Sequence, residues 1–297
     1  MQDPITNPRS LIGQASILSK ALPFMQRYSG KSITIKYGGA VMGEKKLSSS
    51  FAKDIVLLKQ VGINPLVIHG GGPKIEGMLD KLKVQTNFID GLRVTNKETM
   101  NIVEMVLSGS INKEIVMEIN REGGKAIGLS GKDGLLAETQ KIKFSNLSSK
   151  QKKIDLGFVG EPKKINDDLL IWLINSHFIP IISPIGFDKS YDTFNINADT
   201  MSGSIASSIL SERLILLTDV EGVLDKKGNL LREISIKDAK KLIKNETIIG
   251  GMIPKVQTCI DAVNKGVKAA VILNGKLPHA ILLEIFTESG VGTLITE

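Results

Sequence analysis

Residues 32–39 read SITIKYGG and residues 65–72 read PLVIHGGG. Each stretch is a strand-like run that ends in two or three glycines. Glycines directly after a strand let backbone N–H groups approach an anion, and the N-terminus of a following helix adds positive potential. Either stretch alone is compatible with an ordinary strand-to-helix turn. Two of them, after two predicted parallel strands, favour a shared anion site.

Further strand-like runs alternate with helix-like segments along the rest of the chain. Short apolar runs separated by amphipathic helices are typical of a mainly parallel sheet covered on both faces. We therefore expect an α/β fold with helices on both sides of a central sheet. The additional runs are Lys125–Leu129, Ile179–Ser183, Arg213–Leu217 and Lys268–Leu273.

Local signals refine this outline. Thr95–Glu98 (TNKE) fits a capping box at a helix start, and Ser235–Asp238 (SIKD) is a weaker version of it. Leu136–Ile142 and Ile154–Val159 are expected to form a small antiparallel flap.

The first 30 residues differ from the rest. Leu11, Leu18 and Leu22 recur at helical spacing, and Pro23 interrupts the pattern. This predicts a kinked amphipathic helix ahead of the first strand. Such a helix either packs on its own domain or serves as an oligomerisation arm.

Composition excludes several classes of protein. The single cysteine, Cys259, rules out an internal disulfide framework, and the three histidines show no metal-ligand spacing. No apolar run approaches the roughly 20 residues of a membrane helix, and the first 30 residues hold no signal-peptide core of sufficient length. We therefore expect a cytoplasmic protein, or one targeted by a segment outside this sequence. The net charge of +7 fits a lysine-rich surface or an anionic partner such as a nucleotide. With 4% aromatic residues and no known nucleic-acid module, nucleic acid is not the expected partner.

The common nucleotide motifs are absent from the sequence. Ala126–Asp133 (AIGLSGKD) lacks the first glycine and the final Ser/Thr of a P-loop. Gly70–Ile75 ends in isoleucine where a dinucleotide fingerprint needs glycine. Phosphate chemistry here must therefore use another scaffold.

Other polar groups stand at predicted helix starts and strand ends. Asn195–Asp199 (NINAD) either caps a helix or places amides and a carboxylate over one site. Lys255 lies in the first turn of a predicted helix, where its charge opposes the helix dipole. It is therefore either a functional residue or a solvated surface lysine. Arg93 could bind a carboxylate through two parallel hydrogen bonds. Thr218–Leu224 is typical of a ligand-facing loop. Two lysines, an arginine and glycine-rich turns, with no candidate metal cage, indicate phosphoryl transfer by charge neutralisation.

From about residue 10 to its C-terminus the chain resembles the amino acid kinase family. The resemblance implies a three-layer α/β/α sandwich with a mainly parallel central sheet, plus the N-terminal kinked helix. It also implies phosphorylation of the side-chain carboxylate of N-acetyl-L-glutamate by ATP with Mg²⁺, on the route to arginine. The motifs, in the family's order, are Lys36–Gly39 (KYGG), His69–Gly72 (HGGG), Gly91–Thr95 (GLRVT), Asn195–Asp199 (NINAD), Thr218–Gly222 (TDVEG) and Gly251–Lys255 (GMIPK).

The resemblance assigns roles to individual positions, and it includes no protein metal ligand. Lys36 and Lys255 would stabilise the transferring phosphoryl group, with Asp199 holding the two lysines. Gly39 and Gly71 would donate backbone N–H groups to the same charge. The acetylglutamate would be bound by Gly71, Gly72, Arg93 and Asn195, with Asn197 nearby. The ATP pocket would be lined by Asp219, Val220, Glu221, Gly222, Val223 and Leu224 and by Thr247, Ile248 and Ile249.

A subset of the family is inhibited by L-arginine, and the N-terminal helix resembles theirs. There it interlaces dimers into a hexamer, a trimer of dimers. The matching effector residues would be His279, Glu284 and Gly290, although a helix-cap histidine and a surface glutamate are equally ordinary readings. A cyanobacterial or plastid-lineage source would add the PII signal protein as a partner.

The resemblance divides the chain into an oligomerisation helix (1–30) and a kinase domain (31–297). The kinase domain would hold an acetylglutamate lobe (31–184) and an ATP lobe (185–297). Two alternatives remain open. One is a sibling such as glutamate or aspartate kinase, which commonly carries an extra C-terminal domain for which a chain ending at Glu297 leaves no room. The other is a catalytically silent arginine sensor, which would not need Lys36, Asp199 and Lys255 together.

Overall fold

The computed structural model describes residues 8–39, 42–89, 91–142, 144–145 and 153–297. The strands are β1 (Ser32–Tyr37), β2 (Asn64–His69), β3 (Phe88–Ile89), β4 (Leu92–Arg93), β5 (Ala126–Ser130), β6 (Ala137–Lys141), β7 (Phe144–Ser145), β8 (Lys153–Ile154), β9 (Val159–Ile165), β10 (Ile179–Ser183), β11 (Ile185–Phe187), β12 (Thr193–Ile196), β13 (Arg213–Thr218), β14 (Glu233–Ser235), β15 (Ala270–Asn274) and β16 (Thr293–Thr296). The helices are α1 (Pro8–Tyr28), α2 (Lys45–Gln60), α3 (Gly72–Lys81), α4 (Lys97–Glu104), α5 (Asn112–Arg121), α6 (Asp168–Asn175), α7 (Ala198–Ser208), α8 (Ile236–Lys244), α9 (Met252–Asn264) and α10 (Ala280–Ile285).

Eight strands form the central sheet, in the order β14-β16-β15-β13-β1-β2-β10-β5. Every neighbouring pair is parallel except β15–β16. All six strand-like runs of the sequence lie in this sheet, which confirms the predicted mainly parallel arrangement.

Helices cover both faces of the sheet. Successive side chains along each strand point to opposite faces, so the apolar strands need cover on both sides. In β13, Ile215 and Leu217 belong to the core beneath α2 and α5, whereas Leu214 and Leu216 belong to the core beneath α9. Buried strands of this kind occur where helices pack on both sides of a parallel sheet. The three-layer α/β/α architecture is therefore confirmed.

A second, four-stranded sheet closes on itself in the order β11-β12-β9-β6. The predicted flap is half right: β6 lies within Leu136–Ile142, but its antiparallel partner is Val159–Ile165 rather than Ile154–Val159. Gly157 explains the shift, because its φ of +75° turns the chain and its Cα lies against the carbonyl of Thr95. The pairing strand can therefore begin only after this turn. The small sheet joins strands from both sides of the predicted lobe boundary at 184/185, and the division into two lobes stays a prediction.

The predicted capping box at Thr95 is wrong. The side-chain oxygen of Asn96 caps α4 instead, accepting a hydrogen bond from the N–H of Thr99 at 2.8 Å. Thr95 is not available because its backbone pairs with Leu156 and Phe158 in an extended conformation. The weaker signal at Ser235 is confirmed, since its hydroxyl accepts from the N–H of Asp238 at 3.1 Å.

Two further helical features complete the fold. A π-helical stretch, Met105–Ile111, joins α4 to α5, so that residues 97–121 form one continuous helical segment. The predicted N-terminal helix is confirmed as α1, which continues through Pro23 although proline cannot donate to the carbonyl four residues earlier. Among the described residues, no helix has the length and apolarity needed to cross a membrane.

Candidate active site

A cavity of about 420 Å³ opens where the carboxyl ends of β1 and β2 meet. The two strands are parallel neighbours with Tyr37 beside His69, so their glycine turns emerge together. This is the edge at which ligands bind in open α/β sheets. The structure brings together all the predicted catalytic and acceptor-binding residues along this cavity: Lys36, Gly39, Gly71, Gly72, Arg93, Asn195, Asn197, Asp199 and Lys255.

One buried carboxylate joins the two predicted lysines. The Nζ of Lys36 lies 3.0 Å from Asp199 Oδ1, and the Nζ of Lys255 lies 2.9 Å from Asp199 Oδ2. Burial acts to raise the pKa of the Asp199 carboxyl, but the two ammonium charges outweigh it and hold that pKa below its usual range. Asp199 is therefore ionised, and it keeps two positive charges side by side at the cavity wall.

Local sequence explains how Asp199 and Lys255 reach each other. The side-chain oxygen of Asn197 caps α7 by accepting from the N–H of Asp199 at 2.8 Å, which places Asp199 in the first turn. The helix α9 packs close to α7 at Gly203, where a Cβ would come within 2.8 Å of the Thr258 methyl group. The dipole conflict noted for Lys255 is resolved by its ion pair with Asp199.

Gly71, in the turn after β2, is packed too tightly for any other residue. A Cβ on Gly71 would lie 2.5 Å from Ile111 Cδ1 and 2.6 Å from Leu107 Cδ2. On the cavity side, the backbone nitrogens of Gly71 and Gly72 each lie 3.6 Å from the Cβ position of Gly39. In the part of the chain that the structure describes, neither nitrogen donates a hydrogen bond to the protein. The turns therefore present N–H groups to a ligand, as an anion site requires.

Arg93 is buried at the acceptor side of the cavity, with 5% of its surface exposed. Its guanidinium lies 4.4 Å from the centre of the Phe88 ring, and Nη2 reaches Glu76 Oε1 at 3.4 Å. The other terminal nitrogen, Nη1, is buried with no hydrogen-bond partner among the described residues. Since a buried donor without a partner is costly, this nitrogen is suited to bind a ligand's carboxylate.

The predicted ATP-pocket residues lie on two loops outside this cavity. Asp219–Leu224 follows β13, whose carboxyl end is next to that of β1, and Thr247–Ile249 follows α8. Val223 and Ile248 are buried in the core beneath α9, whereas Val220, Leu224 and Ile249 are 41%, 39% and 65% exposed. These exposed apolar side chains are the ones that could contact the adenine ring of a nucleotide.

The predicted effector residues have partners inside the chain. The Nδ1 of His279 lies 2.6 Å from Asp54 Oδ1, and Glu284 Oε2 accepts from the N–H groups of Val291 and Gly292 at 2.8 and 3.1 Å. His279 occupies the N-cap position of α10 without a capping hydrogen bond from its side chain, and Glu284 is half-buried. The role of these residues in binding an effector stays a prediction. Gly290, with a φ of +57°, packs against the Glu284 carboxylate.

Sequence reasoning gave no role to three buried polar residues. Asp54 in α2, His69 at the end of β2 and Asn112 in α5 are at most 2% exposed. For Asn112 the available signal was a polar residue beside the apolar positions Ile111 and Ile115.

Residues 31–274 match the family model described as "Amino acid kinase family". The chain belongs to this family. An acetylglutamate kinase of Rhodospirillum rubrum is 55% identical over 97% of this chain and 94% of its own length. One from Brucella anthropi is 55% identical over 95% and 96%. The chain is thus a kinase of the amino acid kinase family.

Solved structures agree on the amino acid kinase fold. A crystal structure of N-acetylglutamate synthase from Neisseria gonorrhoeae, with coenzyme A and N-acetyl-glutamate, has a TM-score of 0.84 at 22% identity. It is matched over 95% of this chain, which spans 63% of the length of that synthase chain. A carbamate kinase from Giardia has a TM-score of 0.64 at 17% identity, over 90% of this chain and 99% of its own. At these identities the likeness concerns the fold alone.

Proposed function

We propose that this kinase transfers the terminal phosphoryl group of ATP to the side-chain carboxylate of N-acetyl-L-glutamate. The products are N-acetyl-L-glutamyl 5-phosphate and ADP, on the route to arginine. The observation that carries the proposal is the cavity, which is lined both by the ion triad of Lys36, Asp199 and Lys255 and by the buried Arg93. The curated names of relatives 53–55% identical to this chain support the choice of substrate.

The reaction requires that the repulsion between the acceptor carboxylate and the phosphates be offset, and it requires no general base. An acceptor carboxylate with a pKa of about 4.3 is already ionised at neutral pH. One of its oxygens forms a bond to phosphorus while the bond from phosphorus to the bridging oxygen of ADP breaks. Lys36, Lys255 and the N–H groups of Gly39 and Gly71 would offset the negative charge that the two substrates bring together. Mg²⁺ enters with ATP as part of the substrate.

Asp199 serves this reaction as a spacer between two cations. Its lowered pKa and its two ion pairs make it a poor proton acceptor. Arg93 and Asn195 would bind the rest of the acceptor, with the Arg93 guanidinium on its α-carboxylate. The loops 219–224 and 247–249 would hold the nucleotide through their exposed apolar side chains.

Regulation by L-arginine and assembly into a hexamer are part of the proposal. Support comes from α1, whose apolar residues Leu11, Ile12, Ile17, Leu18 and Leu22 are 48–70% exposed. An apolar stripe of this kind marks an interaction surface. The effector would bind near Glu284 and Gly290, between α10 and the loop that precedes β16.

Trapping the acyl phosphate with hydroxylamine tests the proposed function. The protein is incubated with ATP, Mg²⁺ and one acceptor: N-acetyl-L-glutamate, L-glutamate or L-aspartate. Hydroxamate from the acetylated acceptor alone is the expected result. Hydroxamate from a free amino acid would assign the chain to a sibling kinase, and silence with all three would favour the arginine sensor. A Lys255→Ala protein measured in parallel controls for contaminating kinases.

A further inference from the structure

Two fully buried polar side chains, His69 and Asn112, lie beneath the Gly70–Gly72 turn. His69 is the last residue of β2 and Asn112 is the first residue of α5, and both are 0% exposed. Gly128 in β5 makes room for Asn112, since a Cβ there would overlap its side-chain oxygen. Buried polar groups are stable only when hydrogen-bonded, so their bonds show what they do.

The hydrogen bonds of Asn112 determine which imidazole nitrogen carries the proton. Its Nδ2 lies 2.9 Å from the carbonyl oxygen of Ile181 and 3.2 Å from His69 Nε2. Because a carbonyl oxygen only accepts, Nδ2 is the donor and its second hydrogen points to His69 Nε2. Nε2 therefore accepts, and the ring proton is on Nδ1, which donates to the carbonyl of Gly70 at 2.9 Å.

The surroundings keep this arrangement in place. Asn112 Oδ1 accepts from the Nζ of Lys113 at 3.2 Å, so the amide is held from both ends. A third acceptor, the carbonyl of Leu129, is farther away at 3.3 Å and is also reached by the Ser183 hydroxyl. Burial lowers the pKa of His69 to about 4, so the ring is neutral at physiological pH.

The carbonyl of Gly70 and the N–H of Gly71 belong to the same planar peptide group. A hydrogen bond to the carbonyl therefore fixes the direction of the N–H at the other end. It also strengthens that N–H as a donor, because successive hydrogen bonds polarise one another. This is the N–H that lies beside Gly39 at the cavity wall.

We infer that Asn112 and His69 are positioning residues that orient and polarise the Gly71 amide toward the transferring phosphoryl group. The relay runs from Asn112 Nδ2–H to His69 Nε2, and from His69 Nδ1–H to the Gly70 carbonyl. The inference rests on the proposed function, because it takes phosphoryl transfer beside Gly39 and Gly71 as given. Donors that are oriented before the reaction stabilise developing charge without reorganisation.

Steady-state kinetics of three variants test the relay. His69→Leu and Asn112→Leu are expected to lower kcat at least roughly tenfold, with smaller changes in KM, because the lost orientation acts on the transition state. His69→Asn keeps a donor in the place of Nδ1 and is expected to retain most of kcat. The control is Thr34→Val, which removes a buried 2.7 Å hydrogen bond to Ser211 that shares no partner with the relay.

The kinetic outcomes separate the relay from the proposed function. A wild-type protein that makes acyl phosphate, with a His69→Leu variant of equal kcat, would overturn the relay alone. Loss of activity in His69→Asn as severe as in His69→Leu would also count against it. An inactive wild type is the failure of the proposed function, and the ring tautomer then decides whether the relay exists.

The tautomer is measured in the wild-type protein by ¹⁵N NMR of labelled histidine. The chain has three histidines, and the His69→Asn protein identifies the signals of the buried ring. Between about pH 5.5 and 8 we expect a neutral ring with the proton on Nδ1, since this lies above the lowered pKa. A proton on Nε2, or an imidazolium in this range, would overturn the relay.

Discussion

Asp199 is the residue on which the charge arrangement of the site depends. It separates two ammonium groups that would otherwise repel each other across a few ångströms, and it is buried where that repulsion would be weakly screened. Both lysines are held by this one carboxylate, so the three side chains together keep a net positive charge. The transferring phosphoryl group meets a preformed pair of positive charges.

Substitution of either lysine should therefore damage the chemical step. Lys36→Ala and Lys255→Ala are each expected to lower kcat roughly 10²-fold or more, by analogy with the loss of an oxyanion donor. Hydroxamate formation at saturating substrates measures this. The matched control is Lys241→Ala, which removes an exposed lysine paired with Asp238 and should leave kcat unchanged. Unchanged kcat in an active-site variant would remove that lysine from the mechanism.

Arg93 should act on acceptor binding instead. Arg93→Ala is expected to raise KM for N-acetyl-L-glutamate about tenfold or more with a smaller change in kcat, since a hydrogen bond to a charged group contributes about 1.5–3 kcal/mol. Arg93→Lys should recover little of this, because an ammonium cannot replace the planar fork. A variant that loses only kcat would argue against the carboxylate clamp.

At the scale of helices, caps connect stability to the site. Asn197→Ala should cost about 1 kcal/mol of unfolding free energy and also lower kcat, because the same side chain holds the first turn that carries Asp199. Ser235→Ala removes an equivalent cap from α8 and should cost a similar free energy with kcat unchanged. Urea unfolding and kinetics on both proteins make the comparison. Equal kcat in the two variants would separate the Asn197 cap from catalysis.

A second contact between helices predicts a pH dependence. Asp54 in α2 bonds His279 at the start of α10, and burial raises the pKa of Asp54 to about 6 despite the histidine. A folded state that holds the proton more tightly than the unfolded chain is favoured at low pH. This contribution to stability is complete below the unfolded pKa, near 4, and is lost as pH rises through about 6.

Asp54→Asn should abolish this dependence, which amounts to at most about 3 kcal/mol from a two-unit shift. The measurement is urea unfolding of wild type and variant from pH 4 to 7, and their difference isolates Asp54 from other titrating groups. Asp80→Asn, which removes an exposed carboxyl, is the control. A constant difference between wild type and Asp54→Asn across this range would show that Asp54 is not held protonated.

Elements made by local signals could be predicted from the sequence, and those made by distant partners could not. The runs that became β1, β2, β10 and β13 are apolar enough to be recognised alone. The cap of α4 moved from Thr95 to Asn96 because Thr95 pairs with Gly157, more than sixty positions away. The partner strand of β6 shifted for the same reason. Local patterns do not contain such contacts.

For the whole molecule, the position of the site followed from topology. Parallel strands place their carboxyl ends on one edge, so the turns after β1 and β2 had to meet. The Asp199 bridge needed the family resemblance, because NINAD alone is also compatible with a simple cap. The pairs Asp54–His279 and Asn112–His69 join elements that are distant in the sequence, so no local spacing of residues predicts them.

Assembly is predicted by the helix α1. Its exposed apolar residues, Leu11 to Leu22, have no covering surface in the described part of the chain, whereas Tyr28 at its end is 5% exposed and belongs to the core. Exposed apolar side chains in this number mark an interaction surface. In the proposed hexamer, a second copy of α1 from a neighbouring dimer would cover it.

Deletion of residues 1–28 should therefore abolish hexamers and weaken inhibition by L-arginine. Because that deletion removes the core residue Tyr28, deletion of residues 1–20 is the sharper variant, since it keeps Tyr28 and removes most of the apolar stripe. Both proteins should keep hydroxamate formation, because α1 contributes no residue to the cavity. Light scattering gives the mass and initial rates give the arginine response. A 1–20 deletion that stays hexameric would contradict the role of α1, and a dimer with undiminished inhibition would separate arginine binding from the ring.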